Sequence, residues 1–362
     1  MLQTPPTFGL FGEPENNSAG ELNTGQCHSV EKVVSQPWVS VVTPFYNTAR
    51  YLAECIESVL RQTYQNWDYV LVDNCSTDGS SDIAAHYASR FPDRIRVVRT
   101  KSFLSQVQNY NFALSCISAQ CRYAKMVQAD DWLFPDCIRS MVEVAEKHPT
   151  TGIIAAYELA GEAVELDGLP YTSSEVPGRD VCRLFFLKNK YLFGTPTSLL
   201  MRSDLIRSRN PFYDERHAPF EDAHACFDLL LSWNFGFVHQ VLTFSRQDNG
   251  SILSRSRAQG LFHLSRLTAV AAHGRKYLSE EEYRRCLKEA ERRYFLYLAR
   301  CALRGRDRNF WDLHRKELAS IGYSLNRLVI GKWIPRALLE WSWQAFWNRW
   351  DKGSHPDTET EF

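Results

Sequence analysis

Two pairs of adjacent carboxylates, Asp130-Asp131 and Glu221-Asp222, each sit where an apolar segment of this 362-residue chain meets a polar turn. Asp130 and Asp131 follow the run Tyr123 to Val127 with only Gln128 and Ala129 between, which places two acids at the end of a buried strand. Such a pair can hold a divalent cation that bridges a diphosphate. It can equally start the helix that follows Trp132 and Pro135, because carboxylates favour helix N-termini. Glu221-Asp222 opens an apolar helical pattern (Ala225, Leu229, Leu230), where the same electrostatic preference applies. A third polar stretch, Asp73-Asn74-Cys75-Ser76-Thr77-Asp78-Gly79, follows Tyr69-Val70-Leu71-Val72 and is rich in turn formers.

The elements that position these groups alternate in type. Trp38 to Thr43 is a β-branched run ended by Pro44, suited to a buried parallel strand leaving its sheet. From Asn47, a plausible N-cap, Leu52, Cys55, Ile56, Val59 and Leu60 recur at helical spacing. Strands are predicted at 69–72, 95–98, 123–127 and 152–156, with helices at 80–90, 106–118 and 136–148 between them. This alternation predicts an α/β fold with a mostly parallel central sheet flanked by helices, in which ligands sit beyond the carboxyl ends of the strands. The pattern weakens over 157–193, resumes at Thr197 to Arg202, and gives a further strand at 236–242. From about Gln259 the chain reads as a helical C-terminal extension. The expected division is a flexible leader at 1–36, a catalytic domain at 37–256, a helical region at 257–352 and a flexible tail at 353–362.

Composition narrows the partners. Forty-two basic and 42 acidic residues leave no net field to gather nucleic-acid phosphates, so nucleic acid is excluded as a non-specific partner. Ten cysteines at irregular spacings, with no CxxC pair, suggest neither a zinc site nor a disulfide framework, and fit a cytoplasmic location. No signal-peptide pattern and no spanning apolar run is expected. Trp333, Trp341, Trp343, Trp347 and Trp350 lie among Arg and Lys near the C-terminus. Such a stretch either lies peripherally on the inner face of a membrane or packs its aromatics onto the enzyme or a second subunit in a homo-oligomer.

Six motifs, in order, give the chain a resemblance to the family 2 inverting glycosyltransferases, which have the A-type, Rossmann-like nucleotide-sugar fold. They are Val41-Val42-Thr43-Pro44-Phe45-Tyr46-Asn47, Val72-Asp73-Asn74-Cys75-Ser76-Thr77-Asp78-Gly79-Ser80, Asn109-Tyr110-Asn111-Phe112-Ala113-Leu114, Ala129-Asp130-Asp131-Trp132-Leu133, Gly194-Thr195-Pro196 and Phe220-Glu221-Asp222. The resemblance spans about Trp38 to Ser254. It implies transfer of a sugar from a nucleotide-sugar donor, UDP- or dTDP-linked, to a hydroxyl of a glycan or lipid-linked glycan in bacterial surface polysaccharide synthesis. The alternative is a sugar- or nucleotide-binding scaffold of the same fold that has lost its chemistry.

By that resemblance Pro44, Tyr46, Asn47, Asp73 and Ser76 frame the nucleotide, with Asp73 accepting from a pyrimidine N–H. Asn109 and Asn111 join the donor site, Asp130 meets the ribose, and Arg246 meets the diphosphate or forms a surface ion pair. Asp131 takes Mn²⁺ or Mg²⁺, with either Asp248 or water as a further ligand in place of a histidine that relatives often carry nearby. Gln128 stands where many relatives have an acid. Asp222 is the expected general base, with Glu221 as the alternative.

Overall fold

A computed structural model describes residues 36–247, 256 and 259–340. Strand β1 (Val39–Phe45) is buried along its length, and its side chains alternate between two cores. Val39 and Val41 face one core and Val42 the other, which is why the segment reads as a continuous apolar run. Helix α1 (Ala49–Leu60) leads to β2 (Trp67–Asp73), helix α2 (Ser80–Arg90) to β3 (Ile95–Arg99), and helix α3 (Gln106–Ser115) to β4 (Tyr123–Met126). β1 pairs in parallel with β2 and β4, and β2 with β3, so three strand–helix–strand crossover units build the first half of the sheet.

The second half is mixed. The short β5 (Trp132–Leu133), helix α4 (Cys137–Lys147), β6 (Thr151–Ala160), β7 (Ala163–Glu165) and β8 (Glu175–Val176) follow. Then come helix α5 (Gly178–Lys188), β9 (Leu200–Arg202), helix α6 (Ser203–Arg207), helix α7 (Glu221–Leu229) and β10 (Asn234–Ser245). The strand order is β3-β2-β1-β4-β9-β6-β10-β5. β9 runs antiparallel between β4 and β6, joining the parallel block to the parallel pair β6–β10. The weakly patterned 157–193 region therefore contains two short strands and a helix, α5, that the sequence reading left as a long connection.

Helices α1, α2 and α4 cover one face of the sheet with Leu52, Ile56, Ala84, Ile138 and Met141. Helices α3, α5 and α7 cover the other, and its core runs on without a break into α8 (Leu261–Tyr277), α9 (Glu280–Arg304) and α10 (Arg308–Ser320). Helix α7 is also tied to α8 by a hydrogen bond between His224 Nδ1 and His273 Nε2 at 2.9 Å. The short α11 (Arg327–Gly331) leads to Trp333, which stacks on Phe295 of α9 with ring centroids 6.2 Å apart. The start of the Trp-rich stretch thus packs back on the chain, although Leu338 and Leu339 are exposed. Trp341, Trp343, Trp347 and Trp350 lie outside the described residues. Among the described residues no helix is long and apolar enough to cross a membrane, and the nine described cysteines are free thiols.

Candidate active site

A cleft of about 490 Å³ opens beyond the carboxyl ends of β1, β2 and β4, where a parallel sheet leaves its loops free to carry function. Both carboxylate pairs line it, as do Pro44, Tyr46, Asn109 and Arg246. Residues 90 positions apart in the chain therefore share one chamber.

At one end the rings of Tyr46 and Phe103 meet edge to face, 4.8 Å apart and both exposed. Asn47 is not the cap of α1; that position is held by Thr48, and Asn47 takes a left-handed φ of 51°. Its Oδ1 accepts from the Thr77 N–H at 2.8 Å and its own N–H donates to Ser76 Oγ at 3.1 Å. Asn47 and Ser76 thereby clamp the loop after β1 to the loop after β2. Ser76 is itself buried away from the cleft wall.

Asp73 departs from expectation. One carboxylate oxygen accepts from the Ser76 N–H at 2.8 Å, and the other from the Ser81 hydroxyl at 2.6 Å with Arg99 at 3.3 Å. The group is 1% exposed and does not line the cleft, because the turn that follows β2 curls back over it. Its neighbour Asn74 reaches the cleft instead and pairs through both amide atoms with the backbone of Leu104, which holds Phe103 against Tyr46. Asp73→Ala is accordingly expected to cost about 2–3 kcal/mol of stability, since two hydrogen bonds to a charged group and an ion pair disappear. A urea midpoint equal to that of the parent would show that the carboxylate does not hold this turn.

In the middle of the cleft, Asp131 is held by two donors, the Thr197 hydroxyl at 2.6 Å and the Arg246 N–H at 3.0 Å. Burial, and next the charge of Asp130, push its carboxyl well above the usual range, with Glu158 adding to the effect. Thr197 is in turn fixed from below by the fully buried Lys125, whose ammonium donates to the Thr197 carbonyl. Glu158 accepts from Ser198 beside Gly194, which has φ 69°, and a Cβ there would come within 2.5 Å of Ser198 Oγ. Only glycine fits at that position. Arg246 spends its fork locally: Nε donates to the Asp130 carbonyl at 3.1 Å and Nη2 to Glu54 at 2.5 Å, with the guanidinium 4.6 Å over the Tyr51 ring.

The crowding of Asp130 and Asp131 suits a cation, since a divalent charge would relieve the repulsion that raises the proton affinity of Asp131. Among the described residues no third carboxylate, histidine or cysteine completes a cage, and Asp248 lies outside them.

Facing this pair, Glu221 and Asp222 start α7. Burial, then the charge of Asp222, raises the Glu221 carboxyl to about 8. Burial raises Asp222 to about 6. Both carboxyls therefore hold a proton more tightly than in water, Glu221 the more so because the charge of Asp222 adds to its burial. The loop leading to them is anchored by Asn111, whose Nδ2 donates to the Tyr213 carbonyl and whose Oδ1 accepts the Tyr213 N–H, both at 2.8 Å. Asn111, expected in the donor site, has its amide fully used as this clamp. Asn109, two residues earlier on the same helix and so on its opposite side, lines the cleft, and its buried Oδ1 has no hydrogen-bond partner.

The Glu221 shift carries a stability consequence. A carboxyl raised from 4.5 to about 8 holds its proton more tightly in the folded chain, so stability is lost as pH rises through that window. Glu221→Gln removes the titration. Its stability advantage over the parent should grow between about pH 5 and about pH 8.5, reaching the order of a few kcal/mol. Thermal melts at the two pH values check this, and a constant difference contradicts the assignment.

Residues invisible as site members in the sequence are Asn74, Phe103, Tyr110, Lys125, Glu158 and Thr197. Only Gln128 gave a signal, as an amide beside the acid pair; its Nε2 donates to Tyr110 Oη at 2.8 Å.

Comparison with known proteins places the chain in a family. The family model described as glycosyl transferase family 2 matches residues 40–209. The glycosyltransferase GlyG of Streptococcus pneumoniae is 30% identical over 228 residues, 59% of this chain and 72% of that protein. The putative glycosyltransferase EpsE of Bacillus subtilis is 40% identical over 114 residues, 32% of this chain. The putative teichuronic acid biosynthesis glycosyltransferase TuaG of the same organism is 33% identical over 135 residues, 37% of this chain. The chain spans 40% of the length of EpsE and 51% of TuaG. Among solved structures, Staphylococcus aureus TarS 1–349 in complex with UDP-GlcNAc superposes with a TM-score of 0.57 at 17% identity, covering 78% of this chain and 81% of that one. The mannosyltransferase PcManGT of Pyrobaculum calidifontis, in complex with GDP-Man and Mn²⁺, gives 0.50 at 16%, covering 87% and 88%. With its A-type α/β fold, its cleft at the strand ends and this relationship to GlyG, the chain belongs to glycosyl transferase family 2 and is a glycosyltransferase.

Proposed function

We propose that the chain is an inverting, divalent-cation-dependent glycosyltransferase that moves a sugar from a nucleoside-diphosphate donor to an acceptor hydroxyl of a surface glycan or lipid-linked glycan. The observation that carries this reading is the placement of two acid pairs in one cleft: Asp130-Asp131, where burial and crowding raise the proton affinity of Asp131, and Glu221-Asp222, both raised above the usual carboxylate range by burial. The base of the donor lies against the Tyr46–Phe103 pair, beside Pro44 and Asn74, and its ribose lies toward Asp130. Asp131 would hold Mn²⁺ or Mg²⁺ jointly with the diphosphate oxygens, the usual arrangement for a hard cation held by few carboxylates. When bound, the cation neutralises the charge that develops on the departing diphosphate. Asp222 accepts the proton of the acceptor hydroxyl as its oxygen bonds to the anomeric carbon and the bond to the diphosphate breaks, which inverts the configuration in one displacement. Glu221, which holds its proton more tightly than Asp222, keeps a second negative charge away from the attacking oxygen. The UDP-GlcNAc and GDP-Man complexes of TarS and PcManGT support a nucleotide-sugar donor, and the name of TuaG, which refers to teichuronic acid biosynthesis, supports a glycan acceptor.

Calorimetric titration with UDP, dTDP and GDP, with and without Mn²⁺, tests the reading. One diphosphate should bind, and more tightly with the cation present. Indifference to all three would remove the donor assignment.

A further inference from the structure

The segment that follows α10 carries apolar side chains on two sides at once. Ile330, Trp333 and Ile334 pack with Ala337 against Leu296 and Ala299 of α9, and their spacing makes one helical stripe. Leu328, Leu338 and Leu339 are instead 78%, 48% and 62% exposed. Residues 334–340 are helical, so Pro335, Leu338 and Leu339 form a second stripe, at the same three- and four-residue spacing, on the solvent side. An ordinary surface helix is apolar toward the core and polar toward water, whereas one that is apolar on both sides is covered on both.

Charge indicates the cover. The chain is neutral as a whole, with 42 bases and 42 acids, yet between 327 and 352 Arg327, Lys332, Arg336, Arg349 and Lys352 stand against only Glu340 and Asp351. Arg327, Lys332 and Arg336 are exposed. Glu340 is already engaged by Arg300 and Arg292 of α9, at 2.6 and 3.7 Å, and by Arg336 at 3.6 Å. The outer side therefore presents leucine among positive charge. A second copy of the same face would bring those charges against one another, because a two-fold interface is self-complementary. A bilayer of anionic phospholipid takes both kinds of group: its acyl region accepts the leucines, and its phosphates meet basic heads carried on long apolar stems. The sequence continues with Trp341, Trp343, Trp347 and Trp350, a side chain whose amphipathic ring sits at the headgroup level.

We propose that the outer side of residues 327–340 is a docking surface for an anionic phospholipid bilayer, on which the protein lies peripherally. Neither acid pair takes part, so the proposal stands or falls apart from the nucleotide-sugar reading.

The test is flotation of the full chain with vesicles of phosphatidylcholine alone and of equal parts phosphatidylcholine and phosphatidylglycerol, with the mass in solution measured by light scattering. The parent should bind the phosphatidylglycerol vesicles about tenfold more tightly than the neutral ones, and less so as salt is raised. Leu338→Glu combined with Leu339→Glu should lower that binding by about tenfold or more at an unchanged melting temperature, since both side chains are exposed before docking. Arg327→Gln combined with Lys332→Gln removes charge and no apolar packing, and should lower it by roughly tenfold. If the leucine variant melts lower than the parent, the glutamine variant decides. A parent that ignores phosphatidylglycerol vesicles, or binds neutral ones equally well, overturns the proposal, as does undiminished binding by both variants. A dimeric parent that dissociates in the leucine variant assigns this side to a second copy and overturns it too.

Discussion

Asp222→Asn should reduce turnover by about 10²–10⁴ while leaving the affinity for the donor nucleotide near that of the parent. The amide keeps the size of the carboxylate, and its Oδ1 can still accept the Ala223 N–H that Asp222 takes at 2.8 Å, so the start of α7 is not disturbed. What it loses is the ability to take a proton. Glu221→Gln should cost much less, because burial and the charge of Asp222 make Glu221 the member that holds its proton more tightly. The pH profile of kcat/KM adds an independent check: in the parent it should fall as pH drops through about 6, where Asp222 gains its proton. If Glu221→Gln proves the more damaging of the two and the acid limb lies near 8, Glu221 is the base. If neither variant loses activity, the proton leaves by another route.

Asp131→Asn is expected to abolish the dependence of nucleotide affinity on Mn²⁺, reducing affinity in its presence to the value measured without the metal. The amide oxygen can still accept the Arg246 N–H, while Nδ2 donates to the Thr197 hydroxyl and so reverses the direction of that second contact. Because the carboxyl of Asp131 is raised by burial and by Asp130, its ionised form is a burden in the absence of a cation, and the variant should melt no lower than the parent. Calorimetry with and without Mn²⁺ reads the first effect, and a thermal melt the second. A metal response that survives in a well-folded variant would place the cation elsewhere.

How far the site could be foreseen depended on distance along the chain. Period and alternation located β1, α1 and β2 because each carries its signal within a dozen residues, and the acid pairs were visible because they stand at strand and helix ends. Helix α5 was not, since Arg179, Asp180, Arg183 and Lys188 interrupt the apolar positions Val181, Cys182 and Phe186 that pack it. The exchange of Asp73 for Asn74 at the cleft turns on one residue of register in a tight turn, finer than turn composition resolves. Asn111 resembled a ligand-binding asparagine in its motif, yet its partner Tyr213 lies 102 residues away, and only the fold shows the contact. The clamp of Asn74 on Leu104, which presents Phe103, is of the same kind.

The shared core beneath α7 bears on how the enzyme could be cut or transplanted. The span matched by the family model, 40–209, contains the first acid pair but stops before α7 and before β10, a strand flanked by β6 and β5 within the sheet. An excised piece of that length would expose the flank of β6 and the apolar face of α5 that Phe227 and Tyr277 now cover. It would be a sticky fragment prone to self-association and not a minimal enzyme. Changes of function are therefore best made by substituting side chains within the intact fold, because the segment that carries most of the recognisable motifs is not a portable module.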